Sequence, residues 1–226
     1  MDGQRSRRDE AAARAGRRRC HERLPGPPDP GGRGCGLSQP PPPSAGLREL
    51  PPPSAWLVEH EGLVLEAARQ GPVLDLACGG GRHARYVARL GARVVGLDRN
   101  RSSLRELRRA SRSEGRPVET LQADLEGGAG IPLRPGCCAA VLVFRYLHRP
   151  LVPAIVELLA PGGLLLYETF TIHQRELRYG PTNPAFFLDP GELLGLFSAL
   201  RIEAHREGLV EGERPLHLAS LAARRP

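Results

Sequence analysis

The segment Val73-Leu74-Asp75-Leu76-Ala77-Cys78-Gly79-Gly80-Gly81-Arg82-His83 constrains this chain more than any other. An apolar run that ends in three glycines and leads into the helical pattern of residues 82–90 reads as strand, tight turn and helix. Glycines in such a turn let the backbone approach a ligand, because no Cβ stands in the way. The acid inside the strand is unusual. Burying the Asp75 carboxylate is costly unless loop N–H groups or a ligand ammonium meet it. The pattern Gly79-x-Gly81-x-x-Ala84 also satisfies the loose dinucleotide fingerprint, with Asp98 as the acid ending the next strand.

Elements of alternating type surround this segment. Residues 56–70 carry apolar side chains at helical spacing and stop at Gly71-Pro72. Residues 73–78, 93–98, 118–124, 139–145 and 164–170 read as five strands, and 101–113 as a charged helix. A helix over 151–159 is expected to close at Pro161-Gly162-Gly163. Near-continuous apolar strands alternating with helices predict a parallel sheet covered on both faces. After a helix over 192–200, two strands at 201–207 and 215–223 are joined by a short polar loop. That connection suits an antiparallel hairpin, since a parallel crossover needs a dozen or more residues. The expected fold is a doubly wound α/β domain: a seven-stranded, mostly parallel, Rossmann-like sheet ending in an antiparallel hairpin.

Composition narrows the function classes. The chain has 226 residues, room for one α/β domain over 54–226. Its apolar runs fall well short of the ~20 residues of a membrane helix, which argues against a membrane partner. The net charge of +7 suggests a nucleic-acid partner until its distribution is considered. All 32 basic residues are arginine, and residues 1–50 hold 10 of them against 6 acids, leaving the remainder only +3. Nucleic acid is therefore disfavoured as a partner. Residues 25–53 contain 11 of the 23 prolines, so 1–53 is expected to be a disordered Pro/Arg/Gly-rich tail. Five cysteines without C-x-x-C spacing fit neither a zinc ribbon nor a disulfide-stapled secreted fold, and point to a reducing cytoplasm. The histidines show no metal-ligand spacing, and no metal is expected.

Asp75, the glycine turn, Asp98, Asp124 in Gln122-Ala123-Asp124-Leu125 and the terminal hairpin together resemble the class I S-adenosylmethionine-dependent methyltransferases. The family's first motif reads acid-x-Gly-x-Gly-x-Gly; here Ala77 replaces the first glycine. The resemblance implies that Asp75 and the turn Ala77, Cys78, Gly79, Gly80 and Gly81 serve the methionine part of S-adenosylmethionine. It implies that Asp98, beside Arg99, accepts from the ribose hydroxyls, and that Asp124 contacts the adenine amine with Leu125 packing nearby. Arg145 is counted with this cofactor set. Tyr167-Glu168-Thr169-Phe170, Tyr179-Gly180, Asn183-Pro184 and residues 145–150 and 188–194 look like a small group near the tellurite-resistance methyltransferases.

The acceptor is expected at the carboxyl ends of strands four and five, where open α/β sheets bind ligands. Tyr146, His148, Glu168 and Arg178 are the candidate acceptor-binding residues. His148 is the candidate general base on intrinsic pKa, with Tyr146 beside it. An Asp/Asn-Pro-Pro-aromatic motif for base amino groups is missing after strand four, and Cys137 and Cys138 precede that strand, which disfavours nucleobase methylation. Residues 174–189 form a long polar insertion, read as a lid or as an ordinary surface loop. The expected function is methyl transfer to a small-molecule acceptor with release of S-adenosylhomocysteine. Three alternatives stand beside it: a tRNA- or RNA-directed methyltransferase, an NAD(P)-dependent oxidoreductase, and a catalytically idle cofactor-binding partner subunit.

Overall fold

The computed structural model describes residues 50–128 and 130–226. The expected tail lies, for residues 1–49, outside the described residues. The chain runs α1 (Ala55–Glu59), α2 (Glu61–Ala68), β1 (Val73–Leu76), α3 (Arg82–Arg89), β2 (Val94–Asp98), α4 (Arg101–Ser113), β3 (Glu119–Gln122), β4 (Cys138–Phe144), α5 (Val152–Leu158), β5 (Leu159–Phe170), α6 (Glu192–Leu196), β6 (Arg201–Val210) and β7 (Leu216–Arg224). The seven strands form one sheet in the order β3-β2-β1-β4-β5-β7-β6. β1 to β5 pair in parallel, and β7 runs antiparallel to both β5 and β6.

Period-two alternation divides the core between the two faces. Val141 and Val143 of β4 join Leu74, Leu76, Leu165 and Tyr167 against Ile155 and Leu158 of α5 and Leu193 of α6. Ala140, Leu142 and Phe144 face the other way, against Trp56, Val64, Ala84, Val87 and Leu107 from α1 to α4. β4 is buried at every position, as expected of a central parallel strand. Two of the helices, α1 and α4, start on side-chain caps: Ser54 Oγ accepts from Trp56 N at 3.2 Å, and Asn100 Oδ1 from Ser102 N at 3.0 Å.

Three expectations need correction. The single helix over 56–70 is two, because His60 leaves the helical region (φ −111°, ψ 14°) while its ring stacks on Trp56 at 4.0 Å. Pro161-Gly162-Gly163 is not a helix-closing turn but part of β5, in an irregular stretch where the register against β4 shifts. Gly162 there has φ 74°, and the stretch is held by Gly162 N to Arg225 O (2.9 Å) and Arg225 N to Gly163 O (3.0 Å). The helix expected over 192–200 ends at Leu196, after which Phe197 and Leu200 turn into the core.

Candidate functional site

The turn between β1 and α3 is built from left-handed backbone. Ala77 (φ 55°), Gly79 (φ 53°) and Gly81 (φ 76°) all occupy the region that L side chains rarely adopt. Each has a different surrounding. A Cβ on Gly81 would stand 2.4 Å from Leu107 Cδ1, so this glycine is what lets α4 pack against the start of α3. A Cβ on Gly79 would meet nothing within 4 Å among the described residues. That open face leaves the turn's backbone accessible. Gly79 N donates to Asp98 Oδ2 at 2.8 Å, which ties the turn to the end of β2.

Asp75 has a backbone partner in the helix that follows the turn. Its Oδ2 accepts from Ala84 N at 2.9 Å, in the first turn of α3, and the residue is buried. Burial pushes its pKa up to about 7, against the lowering effect of that N–H and of Arg82. Its neighbour His83 is also buried. Its Nε2 accepts from Ser54 N at 3.3 Å, and desolvation drives its pKa down to about 2, so it is neutral.

At the carboxyl ends of the strands lies a cavity of about 290 Å³, lined by Ala77, Asp98, Arg99, Asp124, Leu125, Arg145 and Tyr146 among the expected residues. Ala123, Glu126, Leu147, Thr169, Phe170, Pro181 and Phe186 complete the wall. Its volume is near the low end for small-molecule sites. Asp98 Oδ1 also accepts from Asn100 N at 2.7 Å, and Asp124 Oδ1 from Glu126 N at 3.0 Å. A carboxylate has about four acceptor positions, so both acids keep capacity for a ligand. Arg99 lies 3.9 Å from Glu126 at the rim.

The ends of β4 and β5 are organised by side chains. Arg145 has φ 60°, and its N–H donates to Glu168 O at 2.8 Å. Its Nη2 stands 3.3 Å from Glu168 Oε1, and its Cζ 4.9 Å from the Phe170 ring centre. Glu168 is buried rather than facing the cavity; Ser54 Oγ donates to its Oε1 at 2.7 Å and Ser220 Oγ to its Oε2 at 3.2 Å. Tyr146 reaches the cavity with a buried hydroxyl that has no partner among the described residues, and burial is the main cause that raises its pKa to about 12. A phenol so shifted stays protonated near neutrality, which suits a hydrogen-bond donor better than a base.

Several expected residues lie elsewhere. His148 precedes a 3₁₀ turn, Arg149–Leu151, whose Leu151 N its carbonyl accepts at 3.0 Å, and it does not line the cavity. Arg178 is exposed at the end of a second 3₁₀ turn, Ile172–Leu177, away from the cavity wall. Asp75, Cys78, Gly79, Gly80 and Gly81 support the wall without lining it. Sequence reasoning passed over Phe170, Pro181 and Phe186. The aromatic in Asn183-Pro184-Ala185-Phe186 was the available signal.

The insertion over 174–189 is pinned at both ends. Buried Gln174 donates to Tyr179 O (2.9 Å) and accepts from His217 N (2.8 Å), while Tyr179 hydrogen-bonds Pro215 O. Arg149 donates to Ala185 O and Phe187 O, each at 2.9 Å, and pairs with Glu192. Pro181 and Phe186 are thereby fixed in the cavity wall. Among the described residues, no group of three or more His, Cys, Asp or Glu is placed to hold a metal ion, and no helix is long and apolar enough to cross a membrane.

Comparison with known proteins bears on the same region. Residues 73–163 match the methyltransferase domain family. The ubiquinone biosynthesis O-methyltransferase of Proteus mirabilis is 31% identical over 106 residues, 46% of this chain and 43% of that one. A probable S-adenosyl-L-methionine-dependent methyltransferase, TehB of Haemophilus influenzae, is 33% identical over 85 residues, 38% of this chain and 29% of that one. The chain thus spans less than half the length of either relative. The crystal structure of TehB from Haemophilus influenzae superposes with a TM-score of 0.59 at 21% identity, covering 73% of this chain and 62% of that one. This last likeness shows the shared fold.

Proposed function

We propose that this chain, by family a class I S-adenosylmethionine-dependent methyltransferase near TehB, transfers a methyl group to a small-molecule acceptor and releases S-adenosylhomocysteine. The observation that carries this reading is the convergence of Ala77, Asp98 and Asp124-Leu125 on one cavity of about 290 Å³, each at or just past the carboxyl end of a different one of three strands. The family implies S-adenosylmethionine as cofactor, and the residues present fit it. Asp98 retains acceptor capacity for ribose hydroxyls, Asp124 for an amine, and Leu125 and Ala123 offer apolar surface between them. The open face of Gly79 leaves room at the turn.

The bound cofactor supplies a methyl group on a sulfonium that already carries a good leaving group. The protein's part is to place an acceptor against it and exclude water, an effect that reaches several orders of magnitude in well-oriented reactions. Tyr146, Thr169, Phe170, Pro181 and Phe186 form the wall that does this. With His148 off the cavity and Tyr146 held protonated, the geometry favours an acceptor that is nucleophilic without a protein base. The free thiols of Cys78, Cys137 and Cys138 support a cytoplasmic location.

Calorimetric titration of the full chain with S-adenosylmethionine, S-adenosylhomocysteine, NAD and NADP tests the reading. Micromolar binding of the two adenosyl compounds, weakened about tenfold or more in Asp98→Ala, is expected. Binding of NAD in their place would sink it in favour of an oxidoreductase, for which Asp124 has no assigned role.

A further inference from the structure

A second cavity, of about 340 Å³, lies toward the amino ends of β1 to β3, away from the one at their carboxyl ends. Residues 123–137, which join β3 to β4, form no helix among the described residues, and irregular chain at Leu133 and Cys137 makes one wall. Val73, Leu74, Val95 and Leu121 give the groove an apolar floor. Its charged residues, Arg93 and Glu119, are exposed and pair with each other at 3.1 Å. Two adjacent cysteines complete the lining. Cys137 is half-buried and Cys138 buried; both thiols are free, and their sulfurs stand 3.6 Å apart.

Sulfurs at that separation can hold one atom between them. With bonds of about 2.3 Å, the length thiolates make to zinc, the angle at the bridging atom is about 100°, that of a pyramidal three-coordinate centre. Structural zinc takes four ligands, and among the described residues no group of three or more His, Cys, Asp or Glu is placed to supply them. The bridging centre must therefore bring its own third substituent, and the apolar floor favours an organic one. Thiol ligands select soft centres. Oxidation of the pair to a disulfide is disfavoured, because it starts from a thiolate, and burial, with Cys137 alongside, pushes the Cys138 thiol up to about 12. We propose that Cys137 and Cys138 form a dithiol site for a trivalent organoarsenical, whose organic group lies along the groove. Chelation is a condensation without change of oxidation state. The As=O group loses its oxygen, two S–H bonds break, two As–S bonds form, and both protons leave with the oxygen as water.

The test uses the full chain carrying Cys20→Ser and Cys35→Ser, which removes the thiols outside the described residues. The reagents are phenylarsine oxide and, for comparison, inorganic arsenite. Intact mass is read after a 2-mercaptoethanol wash and again after dithiothreitol, since a dithiol strips chelated arsenic that a monothiol leaves in place. One phenylarsenic unit per chain is expected, resistant to the first wash and removed by the second. It should be lost in Cys137→Ser, which spares buried Cys138, and in Cys137→Ala with Cys138→Ala. Retention in either variant would overturn the proposal. Adjacent cysteines chelate arsenic in an unfolded chain too, so the groove needs its own readouts. Phenylarsine oxide should raise the urea midpoint, as a ligand preferring the folded chain must; an unchanged or lowered midpoint counts against the site. It should bind about tenfold or more tightly than arsenite through its buried ring, and Leu133→Asp should remove that advantage while leaving arsenite unaffected. Equal affinity of the two arsenicals in the parent chain would overturn the groove's part. Affinity for S-adenosylhomocysteine should stay the same with the arsenical bound; failure of the chain to bind that compound at all would sink the methyl-transfer reading and leave this one standing.

Discussion

The two halves of the cavity are built by different means. At the ends of β1 to β3, short acids are held by backbone N–H groups close by in space: Gly79 N and Asn100 N on Asp98, Glu126 N on Asp124. At the ends of β4 and β5, one buried carboxylate is shared among side chains far apart in sequence, Glu168 being 114 positions from Ser54 and 52 from Ser220. The first half tolerates change at its surface, because water can replace what is lost. The second is buried, and losing one member leaves the others unsatisfied. The difference separates binding residues that are cheap to hold from one that the fold must assemble around itself.

The comparison breaks most easily at Arg145. Arg145→Leu is expected to destabilise the chain by about 3–5 kcal/mol in urea unfolding, with most of the loss recovered on adding Glu168→Gln. Asp124→Asn, on the exposed half, should cost less than about 0.5 kcal/mol. Equal costs for the two would erase the distinction. Next in size is Gly81→Val, which adds a clash with Leu107 to a left-handed backbone and should cost about 3 kcal/mol.

The third prediction concerns pH. Asp75 is raised in the folded chain from 3.8 to about 7, so its contribution to stability is lost as pH rises from about 4 to about 7. His83 is lowered from 6.5 to about 2, so its contribution is lost as pH falls through 6.5. Between about pH 4 and 6.5 the two slopes oppose each other, one proton against one. Asp75→Asn should therefore unmask a loss of stability on acidification of about 1.4 kcal/mol per pH unit, measurable as a pH series of unfolding midpoints. A variant with the wild-type pH dependence would contradict the assignment.

A small effect of opposite sign is expected at Ala77. Its φ of 55° suits glycine better, and Ala77→Gly should stabilise by about 0.5 kcal/mol, the relief of strain being partly offset by the freer unfolded chain.

These same two halves were unequally legible in the sequence. The order of strands and helices, the terminal hairpin and the acids at 98 and 124 were readable because strand period, glycine turns and helix caps are local signals. Asp75 was legible as a residue that needs a partner, but not that Ala84 N, in the first turn of α3, would be one. His148 looked catalytic on intrinsic pKa, yet whether the chain turns before or after it depends on the 3₁₀ turn that follows. Glu168 faces away from the cavity because Ser54 and Ser220 reach it from distant segments, and no window of neighbouring residues contains that fact. Phe186 arrives in the wall only because Arg149 grips the loop on either side of it.

Ser220, one of the two hydroxyls on Glu168, belongs to β7, and β7 slots between β5 and β6 rather than at the sheet's edge. Chains leave the ribosome from their N-terminus, so β1 to β5 all emerge before β7 exists. The hydrogen-bonded support behind Arg145 is thus completed only when β7 has been made. A product terminated before residue 220 would carry the glycine turn, Asp98 and Asp124, yet present its guanidinium on an unfinished support.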